Sequence, residues 1–203
     1  LSPRPAYSEA FLNLSLVACE AAGIPAVVAM NKSDLPEHAA ALESLAPWGA
    51  IGYPVVSMSA KFDPAPLMPH LEGKISLLVG QSGMGKSRTV NALVMNEVAR
   101  VGEISAALGI GTHTTTFSRL YRIDADTTLI DCPGMQEVGL ANLDFATLVA
   151  GFAEFTPLEG LCRFRDCRHD REPGCAIHKA AAEGRIDPRR FELFERFRDE
   201  VGR

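Results

Sequence analysis

The chain is 203 residues long, 47% hydrophobic and 22% charged, with a formal net charge of −5. Those values suit one globular domain with an appendage or one large domain, and they exclude a disordered, collagen-like or coiled-coil chain and one that grips nucleic acid by charge along its whole length. No stretch approaches the roughly 20 unbroken apolar residues of a membrane helix. The opening Leu1-Ser2-Pro3-Arg4-Pro5 also lacks the basic-then-apolar layout of a signal peptide, so a soluble, cytoplasmic protein is expected.

In chain order, Leu12, Leu14, Leu16, Val17 and Ala21 mark an amphipathic helix, with Gly23 placed to cap it. An apolar run at 25–30 stops at Asn31 and reads as a buried parallel strand. A helix over 38–45 leads to a second strand at 53–58, which ends at Ser59. A third buried strand, 74–79, runs into Gly80 and then a helix over 86–98. Strands at 116–123 and 127–130 follow, the last ending at Asp131. Strand–helix alternation predicts an α/β fold with a mostly parallel sheet. Each polar motif follows a strand's C-terminal end, where such sheets bind ligands.

From Leu158 the texture changes to Arg, Cys, His, Pro and Gly, ending in a charged amphipathic helix over 189–201. The charge changes too. Up to Leu161 there are 9 Lys and Arg against 16 Asp and Glu, and from Cys162 onward 11 against 9. Two domains are expected, 1–155 and a small helical one at 156–203.

Gly80-Gln81-Ser82-Gly83-Met84-Gly85-Lys86-Ser87 matches the phosphate-loop pattern G-x-x-x-x-G-K-[ST] between a strand and a helix. Its glycines let the backbone turn its N–H groups inward toward phosphate, Lys86 reaches the β- and γ-phosphates, and the Ser87 hydroxyl is offered to Mg²⁺. Asp131-Cys132-Pro133-Gly134 supplies the complementary element: Asp131 holds Mg²⁺ through water, and Gly134 presents its N–H to the γ-phosphate. Between them, Gly111-Thr112-His113-Thr114-Thr115-Thr116 is threonine-dense, and Thr114 or Thr115 is the candidate to close over Mg²⁺ and γ-phosphate.

Asn31-Lys32-Ser33-Asp34 sets a carboxylate at a strand end, and Asp34 is the natural acceptor for guanine's two adjacent N–H donors. Asn31 and Lys32 brace that loop, and Ser59-Ala60-Lys61 brings a backbone N–H to the guanine carbonyl. Together with the phosphate loop, these motifs favour GTP over ATP.

The residues resemble the GTPase superfamily in a changed order, because Asn31 to Asp34 and Ser59 to Lys61 precede the phosphate loop. That is a circular permutation, which preserves the spatial site. Signalling GTPases place a water-orienting Gln after the switch glycine; here that position is Met135. His113 is the candidate to take over its task.

Cys162-x4-Cys167-x-His169-x5-Cys175 gathers three thiols and an imidazole, which suits a closed, structural Zn²⁺ site, with His178 as a competitor for the fourth place. Arg163, Arg165, Arg168 and Arg171 interleave these ligands. They read either as contacts to RNA phosphates or as a solvated face paired with Asp166 and Asp170.

The permuted order, the H-T-T-T loop, D-C-P-G and the cysteine cluster together resemble the ribosome small subunit-dependent GTPase A family of bacterial assembly factors. The resemblance covers the whole chain. It implies a monomeric GTPase stimulated by the small ribosomal subunit and its rRNA, acting late in that subunit's maturation, with His113 as catalytic histidine and Zn²⁺ on Cys162, Cys167, His169 and Cys175. It also implies an OB-fold ahead of the GTPase domain, so the chain is expected to be a piece lacking it, with a sheet edge left open near Leu1. The alternative is a module whose nucleotide state controls rRNA affinity and whose hydrolysis is incidental.

Overall fold

The computed structural model describes residues 1–101, 118–135 and 143–201. The chain divides into two units, Leu1–Phe11 with Val27–Glu137 and Leu12–Ala26 with Val138–Arg203.

In the first unit, strands β1 (Val28–Met30) and β2 (Val55–Ser57) pair in parallel, Val28 against Val55 and Met30 against Ser57. Helices α2 (His38–Glu43) and α3 (Ala46–Ala50) connect them where the sequence predicts one helix over 38–45. Pro47 is the reason for the break. It lies in the first turn of α3, where its missing N–H costs nothing, and it cannot continue α2.

After a 3₁₀ turn (Ala65–Leu67) and α4 (Met68–Leu71), the chain enters β3 (Ile75–Leu78) and then α5 (Lys86–Val101). Strands β4 (Arg119–Arg122) and β5 (Thr128–Asp131) complete a sheet of order β3-β5-β4, with β3 parallel and β4 antiparallel to β5. The β4–β5 turn is held by Oδ1 of Asp124, which accepts from the N–H groups of Asp126 and Thr127, each at 2.8 Å. Leu1 lies along β1: its ammonium donates to the Ala29 carbonyl at 2.8 Å, and its own carbonyl accepts from Asn31 N–H at 3.0 Å.

One face of β3-β5-β4 is closed by α5, with Val90, Leu93, Val94 and Leu129 in one buried cluster and Leu78 and Tyr121 against it. The opposite face corrects the expectation of a fully buried third strand, because Ile75 is 76% and Leu77 56% exposed. Register explains it: Leu77 pairs with Ile130 and Ile130 with Leu120, itself 67% exposed, so alternate residues of three strands share one open face.

The second unit takes helix α1 (Glu9–Ala21) from Leu12 onward; the helix ends at Gly23, whose φ of +63° allows the reversal in which Gly23 N–H meets Glu20 O and Ile24 N–H meets Cys19 O, at 3.0 and 2.9 Å. Helix α6 (Phe145–Ala150) is capped by Asp144, whose carboxylate accepts from Thr147 N–H at 2.7 Å. A Cβ at Gly151 would meet Val17 Cα at 2.9 Å, so this glycine permits a close approach of α1. Helices α7 (Ala176–Ala182) and α8 (Pro188–Val201) follow. Phe194 of α8 meets Phe152 and Phe155 edge-on at 5.3 and 4.8 Å. Beside them the buried Arg190 guanidinium is held by both carboxylate oxygens of Glu154 and by the Asn13 amide oxygen.

Candidate functional site

The first candidate site is a cavity of about 610 Å³ in the first unit, lined by residues of the guanine motif, Ser59 to Lys61, the phosphate loop and Gly134. Its loops are held by one buried side chain. Asn31 donates from Nδ2 to the Met84 carbonyl at 2.9 Å, and its Oδ1 accepts from Ala60 N–H at 2.8 Å and Lys32 N–H at 2.7 Å. A single amide therefore ties the phosphate loop, Asn31-Lys32-Ser33-Asp34 and Ser59-Ala60-Lys61 together. Gly85 makes room for it: at φ +96°, an added Cβ would come within 2.4 Å of Asn31 Nδ2.

Lys32, itself at φ 64°, reaches across the loops and donates from Nζ to the Gly83 and Arg4 carbonyls, the former at 2.9 Å. Ser59 Oγ donates to Asp34 Oδ1 at 2.8 Å. That bond is the main reason the Asp34 carboxyl is held below its ordinary pKa, so Asp34 stays ionised and fit to accept from a base. The Ala60 N–H is committed to Asn31, whereas the Lys61 N–H makes only a long 3.3 Å contact with Ser59 Oγ.

At the phosphate end, Lys86 Nζ donates to the Gly80 and Gln81 carbonyls at 2.8 and 3.2 Å. Burial lowers its pKa, with Asp131 and Cys132 pulling the other way. Ser87 Oγ donates to Oδ2 of the buried Asp131 at 2.7 Å. Gly134 lies against the phosphate loop so closely that a Cβ would meet Ser82 Cα at 2.9 Å. Gln81 accepts from Ser8 N–H at 2.9 Å, and Ser33 N–H donates to the Met58 carbonyl at 3.0 Å, so these two residues brace the loops. His113, Thr114 and Thr115 lie outside the described residues; Met135 lies within them.

Sequence reasoning missed Arg4, Leu35 and Arg88, which also line the cavity. Pro5 packs at 3.3 Å from where a Gly83 Cβ would stand, a contact no local pattern announces. Arg88 carried a signal that went unread: it is a charged residue in the first turn of the helix that follows the phosphate loop.

The second candidate site belongs to the other unit. One ligand atom from each of Cys162, Cys167, His169 and Cys175 lies within 4.8 Å of all the others. His169 Nδ1 is 3.6 Å from Cys162 Sγ and 3.5 Å from Cys175 Sγ. Two donors at about 2.3 and 2.0 Å from a tetrahedral Zn²⁺ stand roughly 3.6 Å apart, so this donor set fits that ion. His178 is not the fourth member: its Nε2 bonds the His169 carbonyl at 3.2 Å, and Arg198 reaches the same carbonyl at 2.6 Å. His169 itself stands at φ 55°, a backbone state uncommon outside glycine.

All four arginines of the cluster are exposed. Asp170 pairs with Arg198 at 3.1 Å rather than with any of them, and Asp166 forms no ion pair among the described residues. Arg163 and Arg168 instead stack over Phe164 and Phe145, at 5.5 and 4.8 Å.

A guanine-type loop and a phosphate loop, in an order opposite to that of ordinary GTPases yet joined in one cavity, define a circularly permuted GTPase. The same fold is seen in YjeQ from Thermotoga maritima, with a TM-score of 0.79 at 28% identity over 99% of this chain and 69% of that one. YloQ, described as a circularly permuted GTPase, gives a TM-score of 0.75 at 25% identity over 100% of this chain and 66% of that one. The RsgA GTPase family model matches residues 2–141, and the chain belongs to that family. It is 47% identical over 197 residues to the small ribosomal subunit biogenesis GTPase RsgA of Neisseria meningitidis serogroup B, and 42% identical to its counterpart in Nitrosospira multiformis. Both alignments take in 97% of this chain, which spans 64% and 63% of those relatives' lengths.

Proposed function

We propose that this chain hydrolyses GTP, that the small ribosomal subunit stimulates the reaction, and that it serves late maturation of that subunit in the cytoplasm. The observation that carries the reading is Asn31, which joins base-reading and phosphate-binding loops in one cavity. In this reading Asp34 accepts guanine's two N–H donors and the Lys61 N–H, freer than that of Ala60, meets the guanine carbonyl. Lys86 exchanges its two carbonyl partners for the β- and γ-phosphates. Ser87 and Asp131 hold Mg²⁺, with Thr114 or Thr115, and the ion supplies charge neutralisation as the phosphoryl group transfers. Gly134 offers its N–H to the γ-phosphate, and His113 orients the attacking water, the task Met135 cannot perform.

Residues 156–203 form the zinc-binding domain that follows the GTPase domain of 1–155, with one structural Zn²⁺ on Cys162, Cys167, His169 and Cys175. Its exposed arginines, left without carboxylate partners in the cluster, favour contact with rRNA phosphates over a self-paired face. The protein acts as a monomer. Among the described residues no helix is long and apolar enough to cross a membrane.

The test is GTP turnover by this chain with and without purified small subunits, ATP being the control nucleotide. Stimulation with GTP alone supports the reading; equal turnover of ATP overturns the guanine assignment. His113→Ala abolishes the stimulated rate if His113 orients water, and unchanged turnover refutes that role.

A further inference from the structure

The segment at residues 2–8 lies in the first unit, ahead of α1, and belongs to none of the nucleotide motifs. It is nonetheless tied to the phosphate loop at two points. Ser8 N–H donates to Gln81 Oε1 at 2.9 Å, and the fully buried Ser2 hydroxyl lies 3.2 Å from Met84 Sδ. A third link runs through the guanine motif, because Lys32 Nζ donates both to the Gly83 carbonyl, at 2.9 Å, and to the Arg4 carbonyl. The segment is itself anchored. The Tyr7 hydroxyl is 2.7 Å from Ser44 Oγ at the end of α2, Arg4 pairs with Glu37 at the start of α2, and Ser8 Oγ accepts from Phe11 N–H in the first turn of α1 at 3.2 Å.

A phosphate loop works by aiming several backbone N–H groups at one point. Glycines that permit this turn also permit others, so a loop held by them alone must be ordered when ligand binds, at a cost in affinity. Here Gly83 and Gly85 stand at φ +79° and +96°, and restraint has to come from outside the loop. Asn31 supplies it at the Met84 carbonyl. Ser8 supplies it near the start of the loop, at Gln81, the residue whose own carbonyl receives Lys86 Nζ at 3.2 Å.

We infer that residues 2–8 form a strap that sets the phosphate loop before nucleotide arrives, with Ser8 and Gln81 as positioning residues rather than nucleotide contacts. This rests on the guanine-nucleotide reading of the cavity. A loop set in advance lowers the cost of binding whichever nucleotide enters. The strap therefore serves GDP and GTP alike and leaves the phosphoryl-transfer step unaltered.

The test measures dissociation constants of fluorescent GDP and GTP, and steady-state turnover, for the unaltered chain, Gln81→Met, Ser8→Pro, Ser8→Ala and the combination of Gln81→Met with Ser8→Pro. Gln81→Met removes the acceptor and Ser8→Pro the donor. Each is expected to weaken both nucleotides by roughly three- to tenfold, the effect of one net hydrogen bond, and to raise KM with kcat unchanged. The combined variant binds no more weakly than the weaker single one, because both changes remove the same bond. Ser8→Ala keeps the N–H and loses less than Ser8→Pro. In hydrogen exchange without nucleotide, the Gly83 and Met84 amides exchange faster in Gln81→Met and bound GDP narrows the gap, a local readout that a general loss of stability would not give. Additive losses in the combined variant, a loss confined to GTP or to kcat, or unchanged affinities in Gln81→Met overturn the assignment. Failure of the unaltered chain to bind GDP at all instead overturns the guanine-nucleotide reading itself.

Discussion

The Ser87 hydroxyl donates to Oδ2 of Asp131 at 2.7 Å, joining the first turn of α5 to the end of β5 across 44 positions of sequence. The two groups are the hydroxyl and the carboxylate that a phosphate-loop GTPase needs around Mg²⁺, already in contact. Asp131 is buried, so its orientation is set by the sheet rather than by solvent.

Replacing that carboxylate is expected to act on the metal more than on the base. Asp131→Asn should lower Mg²⁺-dependent turnover by about 10- to 100-fold, the usual cost of losing an outer-shell metal partner. GDP affinity measured without Mg²⁺ should stay within a few-fold of the original. A Mg²⁺ titration of single-turnover hydrolysis checks this, and an unaltered Mg²⁺ midpoint would count against the assignment.

Gly134 has no room for a side chain, since its Cβ would meet the Ser82 backbone at 2.9 Å. Gly134→Ala must push the switch segment off the phosphate loop, a displacement costing about 1–3 kcal/mol. Turnover should fall by tenfold or more while GDP is retained, because GDP lacks the γ-phosphate to which Gly134 is proposed to donate. Stopped-flow nucleotide binding beside hydrolysis separates the two effects.

The Ser59–Asp34 bond predicts a pH effect. It lowers the Asp34 pKa, so the ionised form is favoured in the folded chain; what it contributes is present above the ordinary carboxylate pKa and lost as pH falls through the lowered one. Ser59→Ala removes the main cause. The acid midpoint of GDP binding should rise toward about 4, the unperturbed aspartate value. Affinity measured from pH 3 to 6 tests it, and a midpoint that does not move would leave Asp34 outside base recognition.

The cysteine cluster should carry one metal ion per chain, released by a chelator with loss of helical signal from the second unit. Cys175→Ser should abolish stoichiometric zinc. His178→Ala should keep it, because His178 bonds a carbonyl and is not among the four donors. Zinc lost from His178→Ala and kept in His169→Ala would reverse the ligand assignment.

In the second unit, Arg190 and Glu154 are both nearly fully buried, at 1% and 6% side-chain exposure. Removing one partner leaves the other charge buried and uncompensated. Glu154→Ala is expected to destabilise the unit by about 3 kcal/mol or more. Replacing both by apolar residues of similar volume should cost much less. Urea unfolding of the single and double variants measures the difference.

Most of the candidate site is legible in the sequence, because its signals are local. Gly83 and Gly85 adopt positive φ, Lys86 and Ser87 open a helix, and Asp131 ends a strand; each is fixed by near neighbours, so spacing reports it. The strand–helix alternation likewise reported the α/β class, since periodicity follows from backbone geometry. Choices between distant residues needed the tertiary structure. That Asn31 holds three loops depends on segments far apart in the chain, and that His169 and not His178 faces the cysteines depends on how the cluster folds back on itself. The open face of β3 is of the same kind. Leu77 and Leu78 are equally apolar in sequence, and only the register of β3 on β5 decides which of them meets α5 and which meets solvent.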